Sequence, residues 1–208
     1  MKRKSYYGKV NSLSPLQNVL QEWINAIRRS GKEWLWKDVP WWYNEQACVS
    51  TLAAAVWNAG GIALEEYSIN KGKERNPLSG RGDLYIKIGR NEFVAEAKLL
   101  WPAASRNKAT EIGLRLNLWL KEACDDVNNV RLESKERKLG IVFVALYIPL
   151  SRKSEVDRII DDWLKSVIKV KCSSLAWIFP LEARVIEHED YIYPGVALLI
   201  REVKKKTS

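Results

Sequence analysis

The longest apolar run of the chain, LGIVFVALYIPL at residues 139–150, places the strongest constraint on the fold. It is too short to cross a bilayer as a helix, which takes about 20 apolar residues. Its β-branched and aromatic residues are typical of a strand. The run therefore predicts a buried strand at residues 139–148.

Helical and strand patterns alternate on both sides of this run. The first helix has Ser14 as its expected N-cap, Pro15 as its first residue and Gly31 as its stop. Strands interleaved with helices predict an α/β fold in which helices flank a mixed central sheet. Further helices are expected at about 44–58, 107–128 and 154–169, and strands at about 62–69, 83–99 (a hairpin), 139–148, 174–180, 183–187 and 195–203.

The charge of the chain favours a polyanionic partner. The 34 lysines and arginines exceed the 25 acidic residues, which gives a net charge of +9 over 208 residues. Residues 1–40 alone hold eight basic residues against three acidic ones. Such a surplus favours nucleic acid or anionic lipid, although a surplus that serves only solubility has the same composition.

Cysteine use indicates a reducing compartment. Cys48, Cys124 and Cys172 are widely spaced and form no CxxC pair, which argues against a disulfide framework or a structural zinc site. The basic start MKRK is followed by no apolar segment of the secretory type. We therefore expect a cytoplasmic protein with no membrane association.

The stretch GRGDLYIKIGRNEFVAEAK, residues 80–98, predicts a tight β-hairpin. Glycine at the first position of a two-residue Gly89-Arg90 loop suits a type II′ turn, and partner residues across the strands then have numbers that sum to 179. In this register Asp83, Glu96 and Lys98 share one face. A four-residue loop would also keep them on one face, whereas a three-residue loop would need a bulge to do so.

The pairing of Asp83 with Glu96 needs an explanation, because directly opposed like charges destabilise a sheet. Two carboxylates this close need a shared proton or a bound cation. Oxygen ligands suit Mg²⁺ or Mn²⁺, and Lys98 beside them could hold a phosphate oxygen or orient a water. The alternative is an ordinary solvated strand face, because a Glu-x-Lys pair is common on exposed strands.

These residues resemble the pattern of the PD-(D/E)XK nuclease superfamily, which has the restriction-endonuclease-like fold. Asp83 matches the first acid of that pattern, and the Glu-Ala-Lys triplet at 96–98 matches its second part. Glu45 matches the acid that many members carry on the preceding helix. Gly82 stands where the name-giving proline would be, a position that varies in the superfamily. The core similarity covers roughly residues 43–148, in the order αβββαβ.

The resemblance implies Mg²⁺-dependent hydrolysis of phosphodiester bonds in DNA, with Mn²⁺ as a substitute. It implies that the metal ligands are Asp83, Glu96, the Ala97 carbonyl and Glu45, and that Lys98 positions or activates the attacking water. The settings that it implies are restriction, anti-phage defence or repair, with a homodimer or a partner subunit for specificity. The alternative is a catalytically silent nucleic-acid-binding or scaffolding subunit, against which the intact acids and lysine count.

Basic residues on both sides of the hairpin are candidate contacts to DNA phosphates. The alternative is that they belong to a solvated loop and to the exposed side of a helix. The candidates are Lys71, Lys73, Arg75, Arg81, Arg106, Lys108 and Arg115.

The chain divides into a basic, tryptophan-rich helical segment at 1–42 packed on the core, a nuclease-like domain at 43–203 and a basic tail at 204–208. Tryptophans at positions 34, 36, 41 and 42 could stack on unpaired bases or form a partner surface. Packing of the N-terminal segment onto the core is the role that we favour. The only histidine, His188, is expected at the surface rather than in the site.

Overall fold

The computed structural model describes residues 6–10, 13–72, 78–103, 109–132, 135–185 and 187–204. Eight strands form one mixed sheet. They are β1 (Tyr6–Val10), β2 (Ile62–Lys71), β3 (Leu78–Ile88), β4 (Asn91–Leu100), β5 (Arg137–Pro149), β6 (Ser174–Phe179), β7 (Glu187–His188) and β8 (Tyr191–Val203). The order across the sheet is β1-β6-β8-β5-β4-β3-β2, and β7 pairs with the start of β8.

Four α-helices cover the two faces of the sheet. They are α1 (Gln17–Glu33), α2 (Glu45–Asn58), α3 (Ala109–Asn128) and α4 (Val156–Val167). Apolar side chains of α1 and α2 pack on one face, and those of α3 and α4 pack on the other. The α/β class with helices flanking a mixed sheet is therefore confirmed. None of the described helices combines the length and the apolar character needed to cross a membrane.

Strand β5 lies inside the sheet, between β4 and β8, as its apolar sequence predicts. Every residue from 139 to 146 is buried. The pairing of β4 with β5 is parallel, whereas the other strand pairs are antiparallel. Parallel neighbours need a long crossover connection, and α3 provides it on one face of the sheet.

The glycine expected to end α1 has a different role. Gly31 lies inside the helix, and a Cβ there would lie 2.4 Å from the Trp36 ring. Glycine is therefore needed at this position to let Trp36 pack on the helix. Ser14 is not the N-cap either, because it begins a 3-10 turn, Ser14–Leu16, that leads into α1.

One strand prediction was wrong, and one strand was not predicted. The strand expected at 183–187 is a 3-10 turn, Glu182–Val185, followed by the two-residue β7. Strand β1 was not expected, and it pairs with β6 at one edge of the sheet. The segment 1–42 therefore contributes a strand to the sheet and is not only a helical addition to the core.

Candidate active site at a gap between two strands

The hairpin of β3 and β4 has the register that the sequence predicted. Its pairs run from Ile88 with Asn91 at the turn to Leu84 with Ala95, and the residue numbers of each pair sum to 179. Gly89 alone of the two turn residues has a positive φ, of 57°, which is the pattern of a type II′ turn. The ladder ends one residue before the two acids that the sequence placed opposite each other.

Beyond Leu84 the two strands separate and open a gap in the sheet. The first part of β3, residues 78–82, stays paired with β2, whereas residues 96–100 of β4 stay paired with β5. The amides of Ala97 and Leu99 face this opening, because an uninterrupted hairpin register would bond them to β3. We call the opening the β3–β4 gap.

Two carboxylates take the place of the missing β3 carbonyls. Asp83 Oδ2 accepts a hydrogen bond from the Ala97 amide at 2.7 Å, and Glu45 Oε2 accepts one from the Leu99 amide at 3.0 Å. Buried main-chain donors need acceptors, so these acids complete the edge of β4. The Ala97 carbonyl lies on the same edge as its amide, because both groups of a residue point to the same neighbour in an antiparallel ladder.

Helix α2 brings Glu45 to the gap. The Asn44 side chain caps the helix by accepting a hydrogen bond from the Ala47 amide at 2.8 Å, and Glu45 follows as the first helical residue. A carboxylate at this end is also favoured by the helix dipole. Because Cys48 and Leu52 are buried in the core beneath, the helix holds Glu45 at a defined point beside β4.

Lys71 brings a positive charge to Glu96. Strand β2 ends at Lys71, two residues later than expected, and the Lys71 ammonium lies 2.7 Å from Glu96 Oε1. Two glycines of β3 leave room for side chains of β2, Gly80 for Lys71 and Gly82 for Tyr67. A Cβ at Gly80 would lie 3.2 Å from Lys71 Cδ, and one at Gly82 would lie 2.8 Å from the Tyr67 ring. Gly82, which stands where the motif has proline, thus leaves space in which the Tyr67 ring packs.

A kink in β2 at Glu66 turns the following side chains towards the gap. Glu66 has a φ of 49°. The β2–β3 ladder keeps one register before and after Glu66, but Glu66 itself does not pair with Asp83. Strict alternation would place Tyr67 on the α2 side with Ala63. Instead, Tyr67 packs against the cluster of Val94, Val127 and Val130, on the side of the sheet that α3 covers. Positive φ in a residue other than glycine costs energy and is often found at functional sites.

Lys98 is held by an acid that the sequence analysis did not identify. The Lys98 ammonium lies 2.7 Å from Asp126 Oδ2, near the end of α3. Burial would lower the pKa of Lys98, but the surrounding carboxylates, Asp126 foremost, raise it overall. Asp126 follows the buried Ala123 by three residues, which places both on the side of the helix that faces the sheet. That spacing is the signal that could have identified it.

Burial and repulsion raise the pKa of two acids of the gap. The pKa of Glu45 is raised by burial first and then by the charge of Asp83. Burial also raises the pKa of Glu96, although the Lys71 ammonium opposes this change. The Tyr67 hydroxyl is buried and has no hydrogen-bond partner among the described residues. Because burial and Glu96 raise its pKa, Tyr67 remains a protonated donor.

The gap offers carboxylate and main-chain oxygens, which are the ligands that Mg²⁺ and Mn²⁺ prefer. Across the described residues, no three His, Cys, Asp or Glu side chains are grouped closely enough to hold a metal ion. The reason is that Asp83 and Glu45 face main-chain amides, while Glu96 faces Lys71. The residues fit a divalent cation by their chemistry, and binding requires their side chains to turn to a common point.

The basic residues expected to contact phosphates are brought to the gap only in part. Arg81 is exposed at the rim and lies 3.5 Å from Glu66 Oε2. Arg115 lies in the first half of α3, about 16 Å along the helix from Asp126, so it is distant from the gap. Outside the described residues lie Lys73, Arg75, Arg106 and Lys108.

The N-terminal tryptophans have different environments. Trp41 is buried and donates a hydrogen bond to a carbonyl of β8 at 3.4 Å, and Trp36 packs on α1, so both have the packing role that we favoured. Trp34 is 48 % exposed. Trp42 is half-buried, and its ring centroid lies 5.1 Å from that of His188, which is exposed as expected.

Comparisons with known proteins add no family assignment. No protein-family model, curated protein or solved structure matches this chain. The class of the protein is therefore stated from its own structure. It is an α/β protein with an acidic gap between two strands of a mixed sheet and two lysines at that gap.

Proposed function

We propose that the protein is a divalent-metal-dependent nuclease that hydrolyses phosphodiester bonds in DNA, with the β3–β4 gap as its active site. One observation carries the proposal: Asp83 of β3 and Glu45 of α2 accept hydrogen bonds from neighbouring amides of β4 at one opening in the sheet, and Glu96 and Lys98 lie on the same stretch of β4. Like charges gathered and partly buried in this way cost stability, which is typical of functional sites. The element order from α2 to β5, αβββαβ, is that of the restriction-endonuclease-like fold and supports the same proposal.

The acids of the gap have two tasks in this proposal. Asp83, Glu96 and the Ala97 carbonyl would hold Mg²⁺, with Glu45 as a further ligand. When bound, the ion supplies Lewis acidity to the scissile phosphate and to the attacking water. Asp83 and Glu45 also bind the main-chain edge of β4, so they keep the Ala97 carbonyl directed into the gap.

The lysines place positive charge where the phosphate enters. Lys98 holds a non-bridging phosphate oxygen or orients the attacking water, and Asp126 restrains its side chain. Asp126 is therefore a positioning residue. Lys71 balances the charge of Glu96 in the free protein and would have to release Glu96 for a cation to bind there. Arg81 at the same rim is positioned to contact a flanking phosphate.

The wider assignment belongs to the same proposal and rests on the sequence resemblance. It comprises a cytoplasmic location, a role in restriction, anti-phage defence or repair, and a homodimer or partner subunit that supplies specificity. The net charge of +9 supports a nucleic-acid partner.

A cleavage assay with matched variants tests the proposal. Linear, circular and single-stranded DNA and RNA are incubated with Mg²⁺ or Mn²⁺. Glu96→Gln and Lys98→Met are compared with Glu92→Gln and Lys87→Met, which alter an ion pair of 2.7 Å on the same hairpin outside the gap. We expect metal-dependent cutting that falls by about 100-fold or more in the first two variants and persists in the controls. A folded wild type that cuts none of the substrates, or equal losses in all four variants, would contradict the proposal.

A catalytically silent nucleic-acid-binding or scaffolding subunit is the second candidate. The Lys71–Glu96 contact favours it, because an internal ammonium already balances the charge of Glu96. This candidate predicts DNA binding without cleavage in Mg²⁺ or Mn²⁺. It also predicts that Glu96→Gln leaves DNA affinity unchanged within about twofold.

A further inference from the structure

A second concave site lies where β5 ends and β8 begins. It is a cavity of about 700 Å³, and its lining includes Tyr147, Pro149, Leu150, Ser151, Asp190 and Tyr191. The Leu150 amide donates a hydrogen bond to the Asp190 carbonyl at 2.8 Å, so the turn after β5 and the start of β8 are fixed against each other. None of these residues takes part in the proposed nuclease site.

Two aromatic rings form a corner in this cavity. The ring centroids of Tyr147 and Tyr191 are 4.9 Å apart, and their planes are perpendicular. Tyr193 continues the aromatic surface, 6.2 Å from Tyr147, and Trp42 follows 6.2 Å from Tyr193. The faces of aromatic rings carry partial negative charge, and rings set at an angle are the usual receptor for an organic cation.

The charges around the cavity also favour a cation. Asp190 is the one charged residue of the lining, it is exposed, and its carboxylate has no ion-pair partner within the described ranges. Two cations of the neighbouring turn are engaged, since Lys153 pairs with Glu187 and Arg152 Nε lies 2.9 Å from Glu155. An unpaired carboxylate beside two phenol rings disfavours a phosphate and attracts a positive group.

We infer that this cavity binds an arginine side chain carried by a peptide segment of a partner protein. A guanidinium can stack on one ring and donate two hydrogen bonds to Asp190, a combination that an ammonium does not match. A cavity of about 700 Å³ is far larger than one guanidinium and is in the size range of sites for larger ligands. It therefore has room for the arginine stem and the adjoining main chain. The inference does not depend on the nuclease proposal.

Calorimetric titration of the full chain with the peptide acetyl-Gly-Gly-Arg-Gly-Gly-amide tests this inference. The matched peptide carries citrulline, which keeps the shape of arginine without its charge. We expect binding of the arginine peptide that weakens with added salt, and at least about tenfold weaker binding of the citrulline peptide. Millimolar arginine peptide that does not bind, or equal binding of both peptides, would overturn the inference.

Three variants locate the binding. Asp190→Asn is expected to weaken binding of the arginine peptide about tenfold, and Tyr191→Leu is expected to weaken it about threefold or more. Glu122→Gln removes one negative charge from an exposed position on α3, outside the lining, and is expected to change affinity by less than about twofold. Equal effects of Asp190→Asn and Glu122→Gln would overturn the assignment to this cavity.

Two further ligands test whether the cavity binds a peptide rather than another kind of molecule. Free arginine amide is expected to bind more weakly than the peptide, and equal affinity would overturn the peptide part of the inference. The affinity of the protein for an oligothymidylate is expected to be unchanged by Tyr191→Leu. An oligothymidylate that binds this cavity more tightly than the arginine peptide would overturn the inference in favour of a site for unpaired bases.

Discussion

Replacing Asp83 by alanine tests whether the acid has a structural task beside its proposed chemical one. Asp83→Ala removes the acceptor that lies 2.7 Å from the Ala97 amide, and Ala97 is fully buried. A hydrogen bond to a charged group contributes about 1.5–3 kcal/mol, and an unsatisfied buried donor costs about 1–3 kcal/mol. Relief of the repulsion between Asp83 and the two glutamates opposes this loss. We therefore expect the free energy of unfolding to fall by about 1–2 kcal/mol.

The loss is measured by thermal and urea unfolding at neutral pH. For a chain of this length, 1 kcal/mol corresponds to about 2–4 °C in Tm, so Asp83→Ala should lower Tm by about 2–8 °C. Asp83→Asn keeps a side-chain oxygen that can accept from the Ala97 amide, and its Tm should stay closer to that of the wild type. An alanine variant as stable as the wild type would refute the argument that Asp83 completes the edge of β4.

The other predictions concern the groups around the gap. The pKa of Glu45 is raised in the folded protein. Ionised Glu45 therefore lowers stability above that pKa, and this penalty disappears as the pH falls below the pKa of Glu45 in the unfolded chain. The Tm of Glu45→Gln should be higher than that of the wild type at about pH 8, and the difference should shrink towards about pH 4. Gly82→Ala should lower both the Tm and the cleavage rate, because its Cβ would lie 2.8 Å from the Tyr67 ring. The control Gly113→Ala places a Cβ on α3 where nothing lies within 4 Å, and it should stabilise the protein by about 0.5–1 kcal/mol. Equal effects of the two variants would contradict the packing of Tyr67 against Gly82. Lys71→Met should raise the pKa of Glu96 in a carbon-detected NMR titration, because the ammonium lowers it in the wild type, and an unchanged pKa would rule out the contact in solution.

Local sequence signals were sufficient for the hairpin and for α2. A glycine that accepts positive φ at position 89 and alternating pairs on both strands left few registers open, and the observed ladder follows the predicted one. The predicted helix at 44–58 agrees with α2, Glu45–Asn58, within one residue at each end. In both cases the information lies within a few residues of the feature that it predicts.

The gap itself could not be predicted from local patterns. Glu66, opposite the point where β3 leaves β4, has a positive φ for which glutamate has no intrinsic preference. The contacts of Asp83 and Glu45 with main-chain amides require β4 to continue with β5 while β3 continues with β2. The Lys98–Asp126 pair joins residues 28 positions apart through the packing of α3 on the sheet. Such contacts follow from the assembled fold rather than from any one segment.

Binding of Mn²⁺ to the gap is measured by isothermal titration calorimetry on wild type, Asp83→Asn and Lys71→Met, which requires no knowledge of the substrate. We expect saturable binding by the wild type that Asp83→Asn weakens by about tenfold or more. We also expect Lys71→Met to bind more tightly than the wild type, because the ammonium next to Glu96 no longer competes with the cation. No binding by the wild type, or binding that Asp83→Asn leaves unchanged, would contradict the assignment of the β3–β4 gap as a metal-dependent active site.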